Sequence, residues 1–364
     1  MKNIYINGRF LSQRVTGVQR FAREVTSALD NLQESALSEL KGKVYLVAPQ
    51  GDFTLPSLSH IELIQNGRSH GHLWEQIELP RLARGGLLFN PCGPAPFFHP
   101  LQVTVLHDAA IYAAPAGYSW QFRMWHKILN WRTSQNARLL FTVSNFSKDQ
   151  LTKYCGVPEE RIRVVSPSGN HILNASADPS VLARYGLAEQ VPYVFSVGSR
   201  QANKNFRIFA EVAEILRDSP VRFLVVGSTN SSVFRGAITH DQNMTFTDFI
   251  SDGELRSVYE HAMCFVFPSL YEGFGIPPLE AMACGCPVLA SNATSIPEAC
   301  GDAALYFDPL NAQTLANSIT KALYDPEILS SLRELGRARA GQTTWTATAA
   351  AIGKELIKVA STGQ

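Results

Sequence analysis

Short apolar runs alternate with longer stretches of helical periodicity along most of the chain. In the first half, the apolar runs predict strands at residues 4–6, 44–48, 61–64, 87–90, 103–107, 139–143 and 162–165. The longer stretches predict helices at residues 18–32, 73–84, 120–136 and 147–154. Strands that alternate with helices predict a parallel sheet covered on both faces.

This alternation stops at residues 169–190, which hold several Pro, Gly and Asn residues and no sustained strand. It resumes with strands at 193–197, 223–226, 244–246, 264–267, 287–290 and 304–307, and with helices at 205–217, 252–261, 277–283, 312–324 and 326–339. We therefore predict an α/β protein of two Rossmann-like, doubly wound domains, at 1–168 and 191–343, with a linker at 169–190. A last helical segment, 344–364, follows both domains.

Composition narrows the class of protein. Of the 364 residues, 45% are apolar and 17% are charged, which is ordinary for a chain with a sizeable core. A net charge of +1 argues against a dedicated nucleic-acid binder and against a disordered chain. No apolar run is long enough for a transmembrane helix, and the first residues lack the pattern of a signal peptide. The six cysteines show no zinc-site spacing, so we expect reduced, structural thiols and a cytoplasmic location.

The segment at residues 268–288 carries the most informative candidate site. Ligands of open parallel sheets bind beyond the carboxyl ends of the strands, and this segment follows a predicted strand. Pro277 and Pro278 suit the first turn of a helix, whose N-terminus would favour phosphate. Glu272 and Glu280 bracket that N-terminus and suit hydroxyl groups, as on a ribose and a hexose. The candidate binding residues of this segment are Glu272, Gly273, Phe274, Gly275, Ile276 and Glu280.

A second candidate loop follows the strand at 193–197. It contains Ser199 and two cations, Arg200 and Lys204, four residues apart. A departing diphosphate needs positive charge where its negative charge develops, and either a metal ion or fixed cations can supply it. The chain has no Asp-x-Asp metal motif, so we expect Arg200 and Lys204 to supply this charge without a metal. A plain surface-charge role is the alternative for both.

These motifs resemble family 4 retaining glycosyltransferases with the two-domain GT-B fold. The resemblance rests on Glu272 and Glu280 with seven residues between them, on the string EGFGIPPLEAMACGCPV, and on SIPE at 295–298 and GDAA at 301–304. It is strong over roughly residues 190–310 and extends to the first domain in layout. It implies that Glu272 contacts donor-sugar hydroxyls, that Glu280 binds the nucleotide ribose, and that Arg200 and Lys204 clamp the phosphates. The loop before Lys204 departs from the family, since Gln-Ala-Asn stands where many relatives carry Pro-Arg.

The resemblance also identifies candidates in the first domain. Gly17 looks like the family's N-terminal glycine loop, which approaches the donor phosphates, although a plain packing turn is an equal alternative. His107 and Asp108 end a predicted strand and resemble the family's His-Asp pair near the transferred sugar, on the acceptor side. A capping or buried structural pair is the alternative there. As in GT-B relatives, the helix at 344–364 is expected to cross back and pack on the first domain.

Residues 118–132 combine four Trp or Phe side chains with Arg123, Lys127 and Arg132. Aromatic residues beside cations are typical of helices that lie in a membrane interface, and many relatives act at the inner membrane face. The alternative is a helix that packs its aromatic residues into the core and solvates a basic edge. We favour this second interpretation.

We therefore expect a hexosyltransferase that uses a nucleoside-diphosphate sugar, with mannose from GDP-mannose favoured. The acceptor would be a hydroxyl of a glycan or lipid-linked glycan. Peripheral contact with the cytoplasmic face of the inner membrane is left open. We expect no nucleic-acid partner. A GT-B-type sugar-nucleotide epimerase is one alternative, and it would need further acid–base residues. A non-catalytic nucleotide-sugar or glycan-binding partner in polysaccharide assembly is the other. A Rossmann dehydrogenase is disfavoured because no Gly-x-Gly-x-x-Gly follows the first strand.

Overall fold

The structure, a computed structural model, describes residues 1–54, 57–93, 95–115, 118–187, 191–198, 201–227 and 243–362. The chain divides into two compact units. The first comprises Met1–Pro167 together with Trp345–Gln364, and the second comprises Ser168–Thr344. The last helix therefore belongs to the first unit. Residues 168–187, most of which were expected to form a linker, belong to the second.

The strands lie close to their predicted positions. In chain order they are β1 (Ile4–Asn7), β2 (Val44–Ala48), β3 (Glu62–Gln65), β4 (Leu87–Asn90), β5 (Gln102–Val105), β6 (Leu139–Thr142), β7 (Ile162–Val164), β8 (Tyr193–Val197), β9 (Arg222–Val226), β10 (Met244–Phe246), β11 (Cys264–Phe267), β12 (Val288–Ser291) and β13 (Ala304–Phe307).

Helices separate most of these strands. They are α1 (Gly17–Asn31), α2 (Gly71–Leu73), α3 (Leu79–Leu82), α4 (Ala110–Ala113), α5 (Trp120–Asn136), α6 (Asn145–Cys155), α7 (Ser180–Arg184), α8 (Phe206–Ile215), α9 (Asp252–His261), α10 (Ile276–Ala283), α11 (Ile296–Cys300), α12 (Ala312–Tyr324), α13 (Pro326–Gly341) and α14 (Trp345–Thr362).

Among the described residues, each unit contains one parallel sheet. The first sheet has the order β3-β2-β1-β4-β5-β6-β7, and the second has the order β10-β9-β8-β11-β12-β13. Every strand pair in both sheets is parallel. The central strands β4, β5, β11 and β12 are buried along their whole length, as expected when helices cover both faces. The predicted fold class, two Rossmann-like units, is confirmed.

The strand orders locate one switch point in each sheet. The order reverses between β1 and β4 in the first unit and between β8 and β11 in the second. Crevices at the carboxyl ends of such strand pairs are where open α/β sheets bind ligands. The loops after β1, β4, β8 and β11 are therefore the places to look for a site.

The predicted helix at 73–84 is interrupted. A wide, π-helical turn, Trp74–Glu78, separates α2 from α3. Pro80 sits in the first turn of α3 and has no N–H to donate to the preceding turn, which favours a break at this point. The wide turn places Trp74 and Glu75 in the interior of the first unit.

Helix α14 packs against α1 in the first unit. The Trp345 ring contacts Phe21 edge-on at 5.7 Å, and the Thr348 hydroxyl donates to the Ser166 carbonyl at 2.6 Å. A Cβ at Gly353 would lie 2.3 Å from a methyl carbon of Leu37, so a larger residue at this position would require the Leu37 side chain to move. Helix α14 is therefore an integral part of the first unit.

Helix α5 turns its apolar face outward. The side chains of Trp120 and Trp131 are 70% and 57% exposed, and Met124 and Ile128, on the same helical face, are exposed as well. The residues buried by this helix are Leu129, Asn130, Thr133 and Ser134. The interpretation that places the aromatic residues of this segment in the core is therefore wrong.

Candidate functional site

The strongest candidate site lies at the switch point of the second sheet. Strands β8 and β11 are neighbours there, and the loops that follow them carry Lys204 and Glu272. The Lys204 Nζ lies 2.7 Å from the Glu272 Oε1. The two side chains are 21% and 14% exposed, so ligand can still reach both. The structure thus brings together two residues that the sequence places on different loops.

Two asparagines tie these loops together. The Asn203 Nδ2 donates to the Tyr271 carbonyl at 3.0 Å, and the Asn203 carbonyl accepts from the Leu270 N–H at 2.7 Å. Asn205 has a φ of 53°, in the left-handed region that asparagine adopts more readily than most residues. Its Nδ2 donates to the Pro268 and Pro309 carbonyls. The unusual Gln-Ala-Asn-Lys-Asn sequence therefore fixes the position of Lys204, a role that sequence reasoning missed.

The backbone around Glu272 is held from the loop after β12. The Glu272 N–H donates to the Thr294 hydroxyl at 3.2 Å. The Ser295 hydroxyl donates to the Glu272 and Phe274 carbonyls at 2.9 and 3.2 Å. Thr294 itself has a φ of 55°, an uncommon conformation for a β-branched residue. The SIPE segment thus orients the glutamate loop.

Helix α10 begins directly after this loop. Gly275 precedes it with a φ of 119°, a conformation that favours glycine, and Pro277 lies in its first turn. The side chains of Phe274 and Ile276 are buried, so these residues can offer a ligand only their backbone. Gly273 has no side chain beyond hydrogen and lies in the same loop. Because Pro277 and Pro278 have no N–H, this end of α10 can offer a phosphate the N–H groups of the residues just before them and the positive end of the helix dipole.

Glu280 lies one turn into α10 and is buried. The Tyr259 hydroxyl donates to its Oε2 at 3.0 Å, and the His171 Nε2 lies 3.0 Å from its Oε1. Burial, with the neighbouring Glu280 charge, raises the pKa of Tyr259 well above its usual value, so the phenol keeps its proton and donates. Both carboxylate oxygens therefore lie beside a polar protein group, and Oε2 accepts a hydrogen bond. Sequence reasoning missed both partners, because His171 lies in the segment assigned to the linker and no local pattern connects Tyr259 with Glu280.

The start of that segment packs against the backbone of α10. A Cβ at Gly169 would lie 2.2 Å from the Leu279 carbonyl carbon and 2.3 Å from the Glu280 nitrogen. The neighbouring Ser168 hydroxyl donates to the Thr343 carbonyl at 2.7 Å. Residues 169–174 are thus part of the site's framework, and glycine at 169 is what permits the contact.

His107 follows β5, which ends two residues earlier than predicted, at Val105. Its Nε2 lies 3.0 Å from the Pro91 carbonyl, and its ring meets Phe21 edge-on at 4.9 Å. Burial lowers the pKa of His107 to about 4, although the contact with Pro91 opposes this shift. The ring is therefore neutral at pH 7, with Nε2–H donating to the carbonyl and Nδ1 left as an acceptor. This arrangement suits a hydrogen-bonding role better than that of a proton-accepting base.

Asp108 and Gly17 each occupy a helix start. The Asp108 Oδ1 accepts from the Ala110 N–H at 2.8 Å, at the beginning of α4. Gly17 is the first residue of α1 and is exposed, behind a capping box formed by Thr16 and Gln19. Both positions therefore have a local structural role, whatever they contribute to ligand binding.

A buried polar cluster lies at the switch point of the first sheet and was missed from the sequence. The side chain of Glu75 is only 1% exposed, and its Oε1 accepts from the Asn7 Nδ2 at 2.9 Å and lies 3.1 Å from the Arg9 Nε. The Asn7 amide also donates to Asn90, and His72 lies 3.2 Å from the Glu75 Oε2. The cluster fixes the loop after β1, and it exists because the π-helical turn directs Glu75 inward.

Two of the candidates, Ser199 and Arg200, lie outside the described residues. Within the described ranges, no group of three or more His, Cys, Asp or Glu side chains could hold a metal ion. In the part of the chain that the structure describes, no helix is both long enough and apolar enough to cross a membrane.

Known proteins are similar to this chain in sequence or in fold. Residues 180–339 match the family Glycosyl transferases group 1. The O-antigen chain mannosyltransferase B of Escherichia coli is 32% identical over 257 residues, which are 67% of this chain and 66% of that protein. The serotype-specific mannosyltransferase WbdA of Escherichia coli is 28% identical over 230 residues, 59% of this chain and 28% of that protein. This chain therefore spans less than two thirds of either relative.

Sucrose-phosphate synthase from Thermosynechococcus elongatus has a similar structure, with a TM-score of 0.75 over 99% of both chains at 19% identity. At that identity the likeness establishes the fold alone. With the family match, it confirms the GT-B architecture expected from the sequence. The chain has the GT-B fold and contains a glycosyl transferases group 1 domain.

Proposed function

We propose that this protein is a glycosyltransferase that moves a hexose from a nucleoside-diphosphate sugar to a hydroxyl of a glycan. The observation that carries this proposal is the ion pair of Lys204 and Glu272 at the switch point of the second sheet, beside the start of α10. A cation and helix N–H groups suit a diphosphate, and a carboxylate suits sugar hydroxyls. The pair lies inside the domain that matches the glycosyltransferase family.

Lys204 is proposed to stabilise the departing diphosphate, together with Arg200 and the first turn of α10. Without donor, the charge of Lys204 is matched by Glu272 at 2.7 Å. A bound diphosphate would compete for the ammonium group and leave the Glu272 carboxylate free to accept hydrogen bonds from the donor sugar. Before donor binds, the Lys204–Glu272 ion pair would thus occupy the positions that the diphosphate and the donor sugar take later.

Glu280 is proposed to bind the ribose of the nucleotide. A carboxylate accepts hydrogen bonds from neighbouring ribose hydroxyls, and its orientation decides whether both can reach it. Tyr259 and His171 contact the two oxygens of this buried carboxylate from inside the second unit. We therefore assign them a positioning role for Glu280.

The transfer is proposed to retain the configuration of the anomeric carbon. In a front-face reaction the bond from that carbon to the diphosphate oxygen breaks, and the acceptor oxygen bonds on the same face. The departing phosphate oxygen takes the acceptor's proton, so no protein nucleophile is required. The neutral His107, next to Asp108, fits the orienting role that such a reaction leaves to a side chain. Gly17 is kept as a candidate for the approach to the donor phosphates.

GDP-mannose is the donor we propose, because both related proteins are mannosyltransferases by name. The acceptor would be a glycan or lipid-linked glycan, met at the cytoplasmic face of the inner membrane in peripheral contact. Fixed cations would take the place of a metal ion, so we propose that the reaction needs no metal ion.

Nucleotide binding tests this function. We expect GDP and GDP-mannose to raise the melting temperature in EDTA, and Glu280→Gln to remove most of that rise because the ribose loses its carboxylate partner. Differential scanning fluorimetry against GDP, UDP and dTDP nucleotides and their sugars measures this. Glu334→Gln, on the exposed part of α13, is the matched control and should respond like the wild type.

The other outcomes are equally informative. Stabilisation by another nucleotide series alone would contradict GDP-mannose as the donor. A rise that disappears in EDTA and returns with Mg²⁺ or Mn²⁺ would contradict metal independence. A folded protein that responds to no nucleotide would contradict the transferase and favour a glycan-binding partner.

A further inference from the structure

The outward face of α5 forms a continuous apolar stripe. Trp120, Met124, Ile128 and Trp131 follow the spacing of one helical face, and all four are exposed. At 1.5 Å per residue, the stripe is about 16 Å long and has a tryptophan at each end. Exposed apolar patches of this kind mark surfaces that meet a partner or a membrane.

Hydrogen bonds on the opposite face hold the helix in this orientation. The Thr133 hydroxyl accepts from the Ala95 N–H at 3.1 Å, and the Asn136 side chain donates to the Phe97 carbonyl at 2.7 Å. The Ser134 hydroxyl donates to the Cys155 carbonyl, outside the helix, at 3.5 Å. Rotating α5 to bury its tryptophans would break these contacts and expose Leu129, which is fully buried.

Further aromatic rings extend the patch beyond α5. Trp125 lies 6.2 Å from the ring of Phe97, which in turn lies 6.2 Å from Phe98. Phe98 is 83% exposed, although it is one of the most hydrophobic side chains. The surface is therefore made by two separate segments of the first unit.

The segment of sequence that contains α5 carries charges of one sign. Residues 109–148 contain five Lys or Arg and no Asp or Glu, in a chain whose overall net charge is only +1. One of the five, Lys148, pairs with Glu159 at 3.3 Å. At 100° per residue, Lys127 and Arg132 fall on opposite sides of the stripe. Cations on both sides of an apolar face are complementary to a surface that is apolar inside and anionic outside.

We propose that the apolar stripe of α5 docks this protein onto the interface of an anionic lipid bilayer. The helix would lie in the plane of the membrane, with Trp120 and Trp131 at headgroup level, where tryptophan is enriched. A second copy of the chain fits this face less well, because it would bring the same cations together. Membrane docking is inferred independently of the proposed function. Only its purpose rests on that function, since docking would give access to a lipid-linked acceptor.

Vesicle binding tests this surface. We expect the wild type to cosediment with vesicles of phosphatidylethanolamine and phosphatidylglycerol and to stay in solution with phosphatidylcholine vesicles. The double variant Trp120→Gln and Trp131→Gln should lower partitioning onto the anionic vesicles on the order of tenfold or more. Tyr324→Gln, which removes a 73% exposed aromatic ring from α12, is the matched control and should bind like the wild type.

The melting temperature with GDP, measured on the same samples, separates this proposal from the proposed function. An unchanged GDP response together with lost vesicle binding supports docking through α5. Equal partitioning of the wild type and the double variant would overturn the proposal, as would equal binding to phosphatidylcholine. Self-association of the wild type that the double variant loses, without vesicle binding, would assign the stripe to a second copy instead.

Discussion

Replacing Lys204 by Ala should lower kcat by about 100- to 1,000-fold, because the departing diphosphate loses a cation that stabilises its developing charge in the proposed mechanism. The melting temperature should change little, since a partly exposed ion pair contributes at most about 1 kcal/mol to stability. Initial rates of hexose release or transfer, with thermal unfolding of the same samples, measure both effects. Lys204→Arg should restore part of the rate because it keeps the charge but changes the geometry.

Lys321→Ala is the matched control for this variant. Lys321 lies on the exposed side of α12 in the same unit, so its loss should leave both rate and melting temperature unchanged. Loss of activity in step with loss of folded protein in Lys204→Ala would make Lys204 a structural residue. An unchanged kcat would remove it from the mechanism.

Replacing Gly169 by Ala should destabilise the second unit by about 2–3 kcal/mol, because the new methyl group would overlap the backbone of α10. The Cβ would lie 2.2 Å from the Leu279 carbonyl carbon, and neither partner is a flexible side chain that can move aside. For a unit of this size, the melting temperature should fall by about 5–10 °C. Nucleotide binding should weaken as well, since α10 carries Glu280 and the phosphate-binding turn.

Gly341→Ala is the control for the glycine variant. Gly341 ends α13, and a Cβ there would meet no atom within 4 Å. Alanine at that position should leave the melting temperature unchanged or raise it slightly, because alanine favours the helix. Equal melting temperatures for the two alanine variants would contradict the close contact at Gly169.

Sequence patterns predict the sheets well because their central strands are buried on both faces. Residues 87–89 and 264–267 are uninterrupted apolar runs, and the structure has strands at the predicted bounds 87–90 and 264–267. The prediction of a helix at 73–84 was less accurate, because a helical pattern does not reveal the wide turn before Pro80. The outward face of α5 was one of two interpretations and not the favoured one, since aromatic residues on a helix usually mark the buried side.

The candidate site also contains residues that sequence patterns predict and residues that they do not. Lys204 and Glu272 follow strands that a sequence pattern identifies, so their meeting at one sheet edge was within reach of sequence reasoning. The partners of Glu280 were not, because Tyr259 and His171 are 21 and 109 residues away and no local pattern connects them. The left-handed conformation of Asn205 could have been predicted, since asparagine is among the residues that tolerate a positive φ.

The most direct test of the central claim is analysis of the product formed from GDP-mannose. The acceptor would be a mannose-terminated oligosaccharide on a hydrophobic aglycone, with EDTA present and NMR used to assign the new linkage. GDP-mannose has an α-linked sugar, and the account predicts a product extended by one α-linked mannose, with Lys204→Ala strongly impaired. A β-linked product would contradict the retaining mechanism. A protein that binds GDP-mannose but returns it without extending the acceptor would contradict the transferase itself.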